Sequence, residues 1–466
     1  MSVAARLAAL MTRKRIMTWG AGLLAVSWFI HVHTMAVPGL VDRIGRFKGT
    51  DYIQFYVMGS MVLDGRTDAL YDPHAHLEEG RRRIDPDLQF YAVHPNYGPQ
   101  IALAFAPLAR LPYLRSLGVF LTLSILCYAL SIWVVWRECE ALRPHGAVVA
   151  VVAAASPLLL TLVRYGQASA FSLLIWSLAF VAFRRQRPFV AGLVIGCLAY
   201  KPQLGIVLGV ALLASRQWRV LIGAATTGIG QLGVAWLTAG APVLGQYVAE
   251  LWTLARDPGL VQLYPSEIHS FRGFFQLLIP SPPVVAALSL VALCGALVLA
   301  IRSWTAAAPL GLRWSELMLL TILASPHLIA YDLVLLTVPL LLLADWIVGQ
   351  PDHARHPAVS LMLLLLYFAP FSGSIVARLT GVQVSVIVMA ILAWQLYEVC
   401  AVTDSLRDSN PASRIPNSVE PGTHDLRAAA RLYLAMADAD GRVSASSSAV
   451  EVSLRSTASK PACSGS

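Results

Sequence analysis

The stretch Gly49-Thr50-Asp51-Tyr52-Ile53-Gln54-Phe55-Tyr56 lies just past the first long apolar segment, in the first large gap between apolar runs. It places an acid beside a predicted membrane span and follows it at once with an amphipathic, aromatic-rich run. An aspartate here has two uses: it can cap the helix that follows, or it can act as a general base. We interpret Asp51 as a catalytic base at the outer membrane face, with the rest of the chain building a site around it.

The composition around this stretch is that of an all-α polytopic membrane protein. Of the 466 residues, 57% are hydrophobic and 13% are charged, whereas soluble domains carry about 25% charged residues. Apolar runs near 20 residues predict membrane-spanning helices. The net charge of +9 is typical of Lys and Arg in cytoplasmic loops. With no basic run interleaved with aromatic residues, we expect no nucleic-acid partner.

The apolar runs predict about twelve spans, and the Lys/Arg distribution orients them. Starting with Arg13, Lys14 and Arg15 inside, the later basic clusters all fall on the inner side, as the positive-inside rule requires. The predicted spans are 16–37, 115–136, 146–163, 167–183, 188–200, 203–215, 219–238, 283–301, 315–325, 329–348, 357–372 and 380–399.

This topology divides the chain into three parts. Residues 1–15 form a cytoplasmic N-terminus, 16–402 the transmembrane domain, and 403–466 a cytoplasmic tail whose polar composition predicts disorder. Two large loops, at about 38–114 and 239–282, lie outside. In the first of them we expect an amphipathic helix over 51–63, seated at the interface by Tyr52, Phe55 and Tyr56. A re-entrant or interfacial segment is expected over 101–112, which is too short to span.

Several ionisable or polar residues besides Asp51 fall on the predicted outer side, close to lipid. Such groups are costly there and usually line a cavity. We expect Arg164, Lys201 and protonated His327 to gather around an anion, and a phosphate suits this set. The residues that we expect to line the substrate site are Tyr52, Gln167, His269, Arg272, Tyr331 and Asp332.

Each of these residues also has a simpler explanation. Arg164 and Lys201 can be interfacial anchors that extend their charged ends toward water. His327 can cap a helix or bind a buried carbonyl, and His269 can be a solvated loop residue. Asp332 can pair with a neighbouring cation.

Metal and nucleotide motifs give little support for other chemistry. Asp85-Pro86-Asp87 has the DxD spacing that holds a metal–nucleotide diphosphate, but such a pair in a polar loop is common by chance, and we expect no metal site. No Walker-type GxxxxGK[ST] and no GxGxxG after a strand occurs. This argues against an ATP-driven pump and against a cytosolic nucleotide-sugar domain.

The ordered motifs resemble those of glycosyltransferase family 87, of the GT-C superfamily. The resemblance covers roughly residues 16–400, and Tyr97-Gly98-Pro99 departs from it, because the usual phrase there is closer to Tyr-Pro-Pro. The similar elements are Asp51-Tyr52 through Phe55-Tyr56, Gly65, Leu70-Tyr71-Asp72, Tyr97-Gly98-Pro99, the run from Pro107 to Pro112, Gly166-Gln167, Gly192 with Lys201-Pro202, Ser325-Pro326-His327 and Tyr331-Asp332.

The resemblance implies a GT-C type fold and an inverting hexosyltransferase of the cell envelope, in the plasma membrane, with its site on the periplasmic or extracellular face. The donor would be a sugar, mannose in the best-known members, carried on polyprenyl phosphate, and no cofactor is implied. Partners would be membrane lipid and a lipid or glycan acceptor. The family's aspartate would be Asp51, while Lys201 and His327 match family positions suited to the leaving phosphate.

Two other classes remain open. A transporter or lipid flippase needs charges along a path across the membrane, whereas the charges here gather near one face. A non-catalytic partner in envelope polysaccharide synthesis would leave Asp51 in an apolar gap with no adjoining groove.

Overall fold

The structure, a computed structural model, describes residues 12–88, 95–257, 260, 264–350 and 357–408. One compact unit comprises residues 1–305 and 309–397 and contains the candidate site described below; a second comprises residues 306–308 and 398–466. Across the described ranges the chain is helical, and its β-structure consists of two isolated bridges, Val41 with Phe47 and Ile268 with Ile329. Most of the predicted tail, from residue 409, lies outside the described residues.

The α-helices are numbered in chain order over the described ranges. They are α1 (Arg13–Met35), α2 (Tyr52–Leu63), α3 (Pro73–Arg83), α4 (Pro99–Ala109), α5 (Tyr113–Trp136), α6 (Gly146–Ala154), α7 (Pro157–Tyr165), α8 (Ser169–Arg184), α9 (Pro188–Gly196), α10 (Ile206–Ala214), α11 (Trp218–Ala239), α12 (Ala241–Arg256), α13 (Phe271–Leu278), α14 (Pro282–Thr305), α15 (Leu310–Ala324), α16 (Thr337–Gly349), α17 (Pro357–Tyr367), α18 (Ala369–Thr380) and α19 (Val384–Asp408). Short 3-10 helices include Cys197–Tyr200, Pro202–Leu204 and Ala330–Leu336.

The all-α membrane class is confirmed, but the count of twelve spans is not. Among the described residues, six helical stretches are long and apolar enough to cross a membrane. A seventh is added if Arg143–Ala154 and Pro157–Tyr165, which meet at 43°, are one broken span. Helices occupy all twelve predicted places, but several are too short to count. The six stretches are α1, α5, α11, α14, residues Ala330–Gly349, and Val384–Ala401 within α19.

Proline and polar breaks explain the shorter helices. Pro157 has no backbone N–H to donate and cannot continue α6. The chain instead restarts there as α7, with the Ser156 side chain accepting a hydrogen bond from the Leu158 N–H at 3.3 Å. Lys201-Pro202 similarly divides the apolar sequence between α9 and α10. Hydropathy averages across such breaks, and this is why it predicts more full-length spans than the structure contains.

Helix α2, which follows Asp51, is buried in protein. Tyr52 and Phe55 have no exposed surface and Tyr56 has 3%, so the expectation that these side chains seat the helix at the interface is wrong. Phe55 stacks on Phe105 of α4 with ring centroids 4.8 Å apart, and Gly59 lies against the α4 backbone. Because α2 and α4 pack on each other, Asp51 is attached to a rigid element.

Helices α9 and α11 approach closely, because glycine lies where they cross, and this contact gives a first prediction. A Cβ atom at Gly223 of α11 would lie 2.4 Å from the carbonyl oxygen of Phe189, so the two backbones would have to separate. We expect Gly223→Ala to lower the free energy of unfolding by about 1–3 kcal/mol, the usual cost of overpacking. Thermal unfolding in detergent measures the change.

Gly230 of the same helix is the matched control, because a Cβ there would meet no atom within 4 Å. Gly230→Ala should leave stability equal or raise it by up to about 1 kcal/mol, since alanine favours the helix. Equal destabilisation by both substitutions would show that the close contact is not what matters.

Candidate functional site

Two glycines with positive φ angles place Asp51 against the connection between α7 and α8. Gly49 and Gly166 both have φ of 69°, a conformation that costs glycine little. A Cβ at Gly166 would lie 3.2 Å from the Gly49 Cα and 3.1 Å from the Tyr52 Cβ. The Asp51 N–H then donates to the Tyr165 carbonyl at 3.0 Å, which joins the first outer loop to the end of α7.

The carboxylate of Asp51 does not cap α2. Asp51 occupies the N-cap position, but its side chain makes no capping hydrogen bond. Its Oδ2 instead accepts a hydrogen bond from Gln167 Nε2 at 3.0 Å, and its Oδ1 lies 3.3 Å from the Thr50 hydroxyl. The Tyr331 side chain also forms a hydrogen bond with this carboxylate. The carboxylate is therefore available for chemistry rather than engaged by the helix end.

The environment of Asp51 suits a general base. The residue keeps part of its surface exposed, yet protein surrounds the carboxylate, and this burial raises its pKa to about 6. Hydrogen bonds from Gln167, Tyr331 and Thr50 and the charge of Lys201 act in the opposite direction. A base with a pKa just below neutral is deprotonated at physiological pH and still binds a proton effectively.

A buried ion pair lies beside Asp51. Lys201 Nζ is 2.8 Å from Asp332 Oδ1, and both residues are 4% exposed. Ser169 joins the pair: its hydroxyl donates to Asp332 Oδ1 and lies 3.2 Å from Lys201 Nζ. The pairing of Asp332 with a cation is thus confirmed, and the charge of Lys201 is balanced within the protein.

The rings of two tyrosines enclose the Lys201 ammonium. Its Nζ lies 5.7 Å from the ring centroid of Tyr97 and 5.6 Å from that of Tyr331. Cations are attracted to aromatic faces at such distances. The two rings therefore help to hold the Lys201 ammonium in position, in addition to its ion pair with Asp332.

His327 interacts electrostatically with this ion pair. Asp332, Lys201 and Arg272 are the charges that act on its ring, and its Nδ1 has no hydrogen-bond partner among the described residues. Burial lowers the pKa of His327 to about 4. The expectation of a protonated His327 is therefore wrong in this structure: at neutral pH the imidazole is neutral and can offer one N–H.

The second outer loop is fastened to the segment that carries His327. The His269 N–H donates to the Leu328 carbonyl at 2.9 Å, and Ile268 pairs with Ile329 in an antiparallel bridge. This pairing brings Arg272, three residues after His269 and distant from His327 in sequence, close enough for its charge to act on the His327 ring.

A cavity of about 680 Å³ opens beside Arg272, between α10, α13, α14 and α15. Its wall is mostly apolar, and its polar residues include Gln203, Arg272 and Gln276. Pro326, next to His327, also lines it. The apolar residues of its wall include Ile206, Val207, Val285, Leu290, Leu293 and Leu323. An elongated apolar substrate with an anionic end matches this distribution.

Three predicted site residues have other environments. Arg164 is exposed in the last turn of α7, and its charge acts on His31 of α1. Tyr52 is fully buried, with its hydroxyl 2.5 Å from that of Ser116. His269 is fully buried with Nδ1 2.7 Å from the Ser385 hydroxyl, and burial lowers its pKa to about 3, so it is not a solvated loop residue.

The sequence did not single out Tyr97 and Ser169 as site residues. Tyr97 donates its hydroxyl to Gln167 Oε1 at 3.0 Å, and Ser169 contacts both members of the ion pair. In the sequence, Tyr97 stands out only as part of the Tyr97-Gly98-Pro99 phrase, which departs from the family pattern. Ser169 stands two residues after Gln167, in an apolar run. The short spacing from Gln167 was the signal in the sequence that could have indicated Ser169.

The Asp85-Pro86-Asp87 pair forms a local turn contact. Asp85 accepts a hydrogen bond from the Asp87 N–H at 3.0 Å.

The fold and this site define a membrane protein that holds a buried acid, an ion pair and an apolar cavity together. The model of glycosyltransferase family 87 matches residues 96–326. The chain belongs to that family, and assignment to the GT-C superfamily is consistent with this. It is a membrane glycosyltransferase. No curated protein and no solved structure matches the chain.

The family match covers part of the candidate site. It includes Gln167, Lys201 and Arg272 and ends at Pro326, immediately before His327. Asp51 precedes it. The case for Asp51 therefore rests on its contacts in the structure.

Proposed function

We propose that the protein transfers a hexose, mannose-like, from polyprenyl phosphate to a hydroxyl of a lipid or glycan acceptor, with inversion, at the outer face of the plasma membrane. The observation that carries this proposal is a row of polar groups linked by their electrostatic interactions. The charge of Lys201 acts on Asp51 and is paired with Asp332, both members of the pair and Arg272 act on His327, and Arg272 lines the apolar cavity.

Each part of this row has a chemical task in the proposed reaction. The Asp51 carboxylate removes the proton of the acceptor hydroxyl, whose oxygen attacks the anomeric carbon. The bond from that carbon to the phosphate oxygen breaks, and the lipid phosphate leaves. Arg272, Lys201 and a His327 N–H stabilise the charge that grows on the phosphate, and such stabilisation is often the largest catalytic contribution.

Substrate binding would change the protonation of this site. The donor is a phosphodiester with one negative charge, which favours the imidazolium of a neighbouring His327. Donor binding therefore raises the low pKa of His327 and adds a cation to Lys201 and Arg272. The cavity walls supply the apolar contacts for the polyprenyl chain, and binding of both substrates at adjacent positions holds the reacting atoms in line.

The direct test uses purified protein in lipid nanodiscs. The donors are polyprenyl-phosphate sugars, polyprenyl-phosphate mannose among them, each with a label in the sugar. They are supplied together with a panel of lipid and glycan acceptors. We expect the label to move to an acceptor while free polyprenyl phosphate is released, and the anomeric configuration of the product to be opposite to that of the donor. A folded protein that moves intact donor across a bilayer, without glycosyl transfer, would instead be a transporter.

Arg272 provides a prediction for the donor end. A charge-assisted hydrogen bond to phosphate contributes about 1.5–3 kcal/mol, so Arg272→Ala should lower kcat/KM for the donor about 10–150-fold. KM for the acceptor should change little. Steady-state kinetics with each substrate varied in turn measures both effects.

Arg187→Ala is the control, because Arg187 is an exposed arginine just before α9, on the opposite predicted side. It should leave both constants unchanged. Arg272→Lys should recover part of the activity, since lysine binds phosphate as a point charge. A change in acceptor KM alone for Arg272→Ala would contradict its place at the donor.

A further inference from the structure

We infer that Gln167, locked in one orientation by Tyr97, is a positioning residue that holds the Asp51 carboxylate ready to accept a proton. This inference rests on the proposed function, in which Asp51 is the base. It assigns no contact with substrate to Gln167, whose exposed fraction is 3%.

The amide of Gln167 has its orientation fixed by two donors. The Tyr97 hydroxyl donates to its Oε1 at 3.0 Å, and the Ala168 N–H donates to the same oxygen at 2.7 Å. A flipped amide would point its N–H groups at the Ala168 N–H, which can only donate, and would require the Tyr97 hydroxyl to accept instead. The Oε1 atom must therefore face Tyr97, and Nε2 must face Asp51, where it donates to Oδ2 at 3.0 Å.

Holding Oδ2 in this way determines the direction of the other oxygen. The Asp51 N–H is bound to the Tyr165 carbonyl, so backbone and carboxylate are fixed to the same short connection between α7 and α8. The Oδ1 atom faces Thr50, which is exposed. That contact, at 3.3 Å, is long enough for an acceptor hydroxyl to replace it.

Tyr97 is in turn held by its surroundings. Its backbone carbonyl accepts a hydrogen bond from the Tyr71 hydroxyl at 2.9 Å, and its ring packs 4.8 Å from Phe55 of α2. The element that carries Asp51 thus also supports the tyrosine that orients Gln167, so base and positioning residue are held by one packed unit.

The test separates positioning from mere structural support by following the ionisation of Asp51. The Gln167 N–H stabilises the carboxylate, so Gln167→Leu should move the acid limb of the kcat/KM–pH profile from about 6 upward by about one pH unit or more. Gln167→Glu should move it further, because two carboxylates would then share one proton. Tyr97→Phe, which leaves the Ala168 N–H to hold the amide without the tyrosine hydroxyl, should produce a smaller shift in the same direction.

Matched controls lose a comparable group whose hydrogen bonds do not involve Asp51 or Gln167. Tyr128 donates its hydroxyl to the Ala153 carbonyl at 3.0 Å, and Gln231 donates to the Gly196 carbonyl at 3.0 Å. Tyr128→Phe and Gln231→Leu should leave the acid limb where it is in the unmodified protein. An acid limb that is the same in Gln167→Leu and Gln167→Glu as in these controls would overturn the inference, whatever the change in overall rate.

Infrared titration makes the test independent of activity. The band of the protonated Asp51 carboxyl is identified by its loss in Asp51→Asn, and its pH midpoint is compared between Gln167→Leu and the unmodified protein. If Gln167→Leu does not fold, the same comparison uses Tyr97→Phe. If the midpoint shifts in Gln167→Leu but the unmodified protein transfers no sugar, the positioning role is supported and the proposed function is overturned. If the midpoint does not shift but the unmodified protein transfers sugar, the positioning role is overturned and the proposed function stands.

Discussion

Asp51→Asn is expected to abolish glycosyl transfer while the protein still folds. The amide has nearly the shape of the carboxylate but cannot accept the acceptor's proton at neutral pH. General base catalysis contributes about 10²–10⁴-fold, so we expect kcat to fall by about the same factor. The Asn oxygen can still accept the hydrogen bond from Gln167, and no capping bond to α2 is lost. The thermal unfolding temperature should therefore stay close to that of the unmodified protein.

The control for this prediction is Asp87→Asn, an exposed aspartate in the same outer loop. It should keep full activity, and this result would also argue against a metal held by Asp85 and Asp87. Full transfer activity in Asp51→Asn would refute the assignment of the base. A large loss of stability in that variant would show that the carboxylate serves the fold instead.

The second large effect is expected at the buried ion pair. Lys201→Met leaves Asp332 charged and unpaired, and breaking such a pair typically costs about 3–5 kcal/mol of folding free energy. In Lys201→Met/Asp332→Leu no charge is left uncompensated, so most of that stability should return. Transfer activity should not return, because Lys201 also supplies positive charge that acts on both Asp51 and His327. Thermal unfolding and initial rates measure the two effects separately.

An exposed ion pair of the same length is the control. Arg185 lies 2.8 Å from Glu138, with 61% of its side chain exposed, and such pairs contribute about 1 kcal/mol or less. Arg185→Met should leave both stability and rate nearly unchanged. Recovery of activity together with stability in the double variant would show that Lys201 serves the fold alone.

Those two experiments address residues that the sequence singled out, but the roles of several others depended on their surroundings. His327 was expected to be protonated, whereas burial keeps it neutral. Arg164 was expected among the phosphate ligands, whereas its side chain is exposed beside α1. Composition and motif order report where a residue lies along the chain, but the charge that it carries depends on neighbours from distant segments.

The sequence by itself determined the class of this protein, a helical membrane protein with a family resemblance. Its twelve apolar runs all coincide with helices, and polar residues stand at the ends of these runs. It did so because hydropathy and helix-breaking prolines are local properties. The tertiary structure decided that α2 is buried rather than interfacial, that Lys201 is paired with Asp332, and that Gln167 holds Asp51. These facts follow from contacts such as Gly49 with Gly166 and Ile268 with Ile329, which join segments that no local pattern connects.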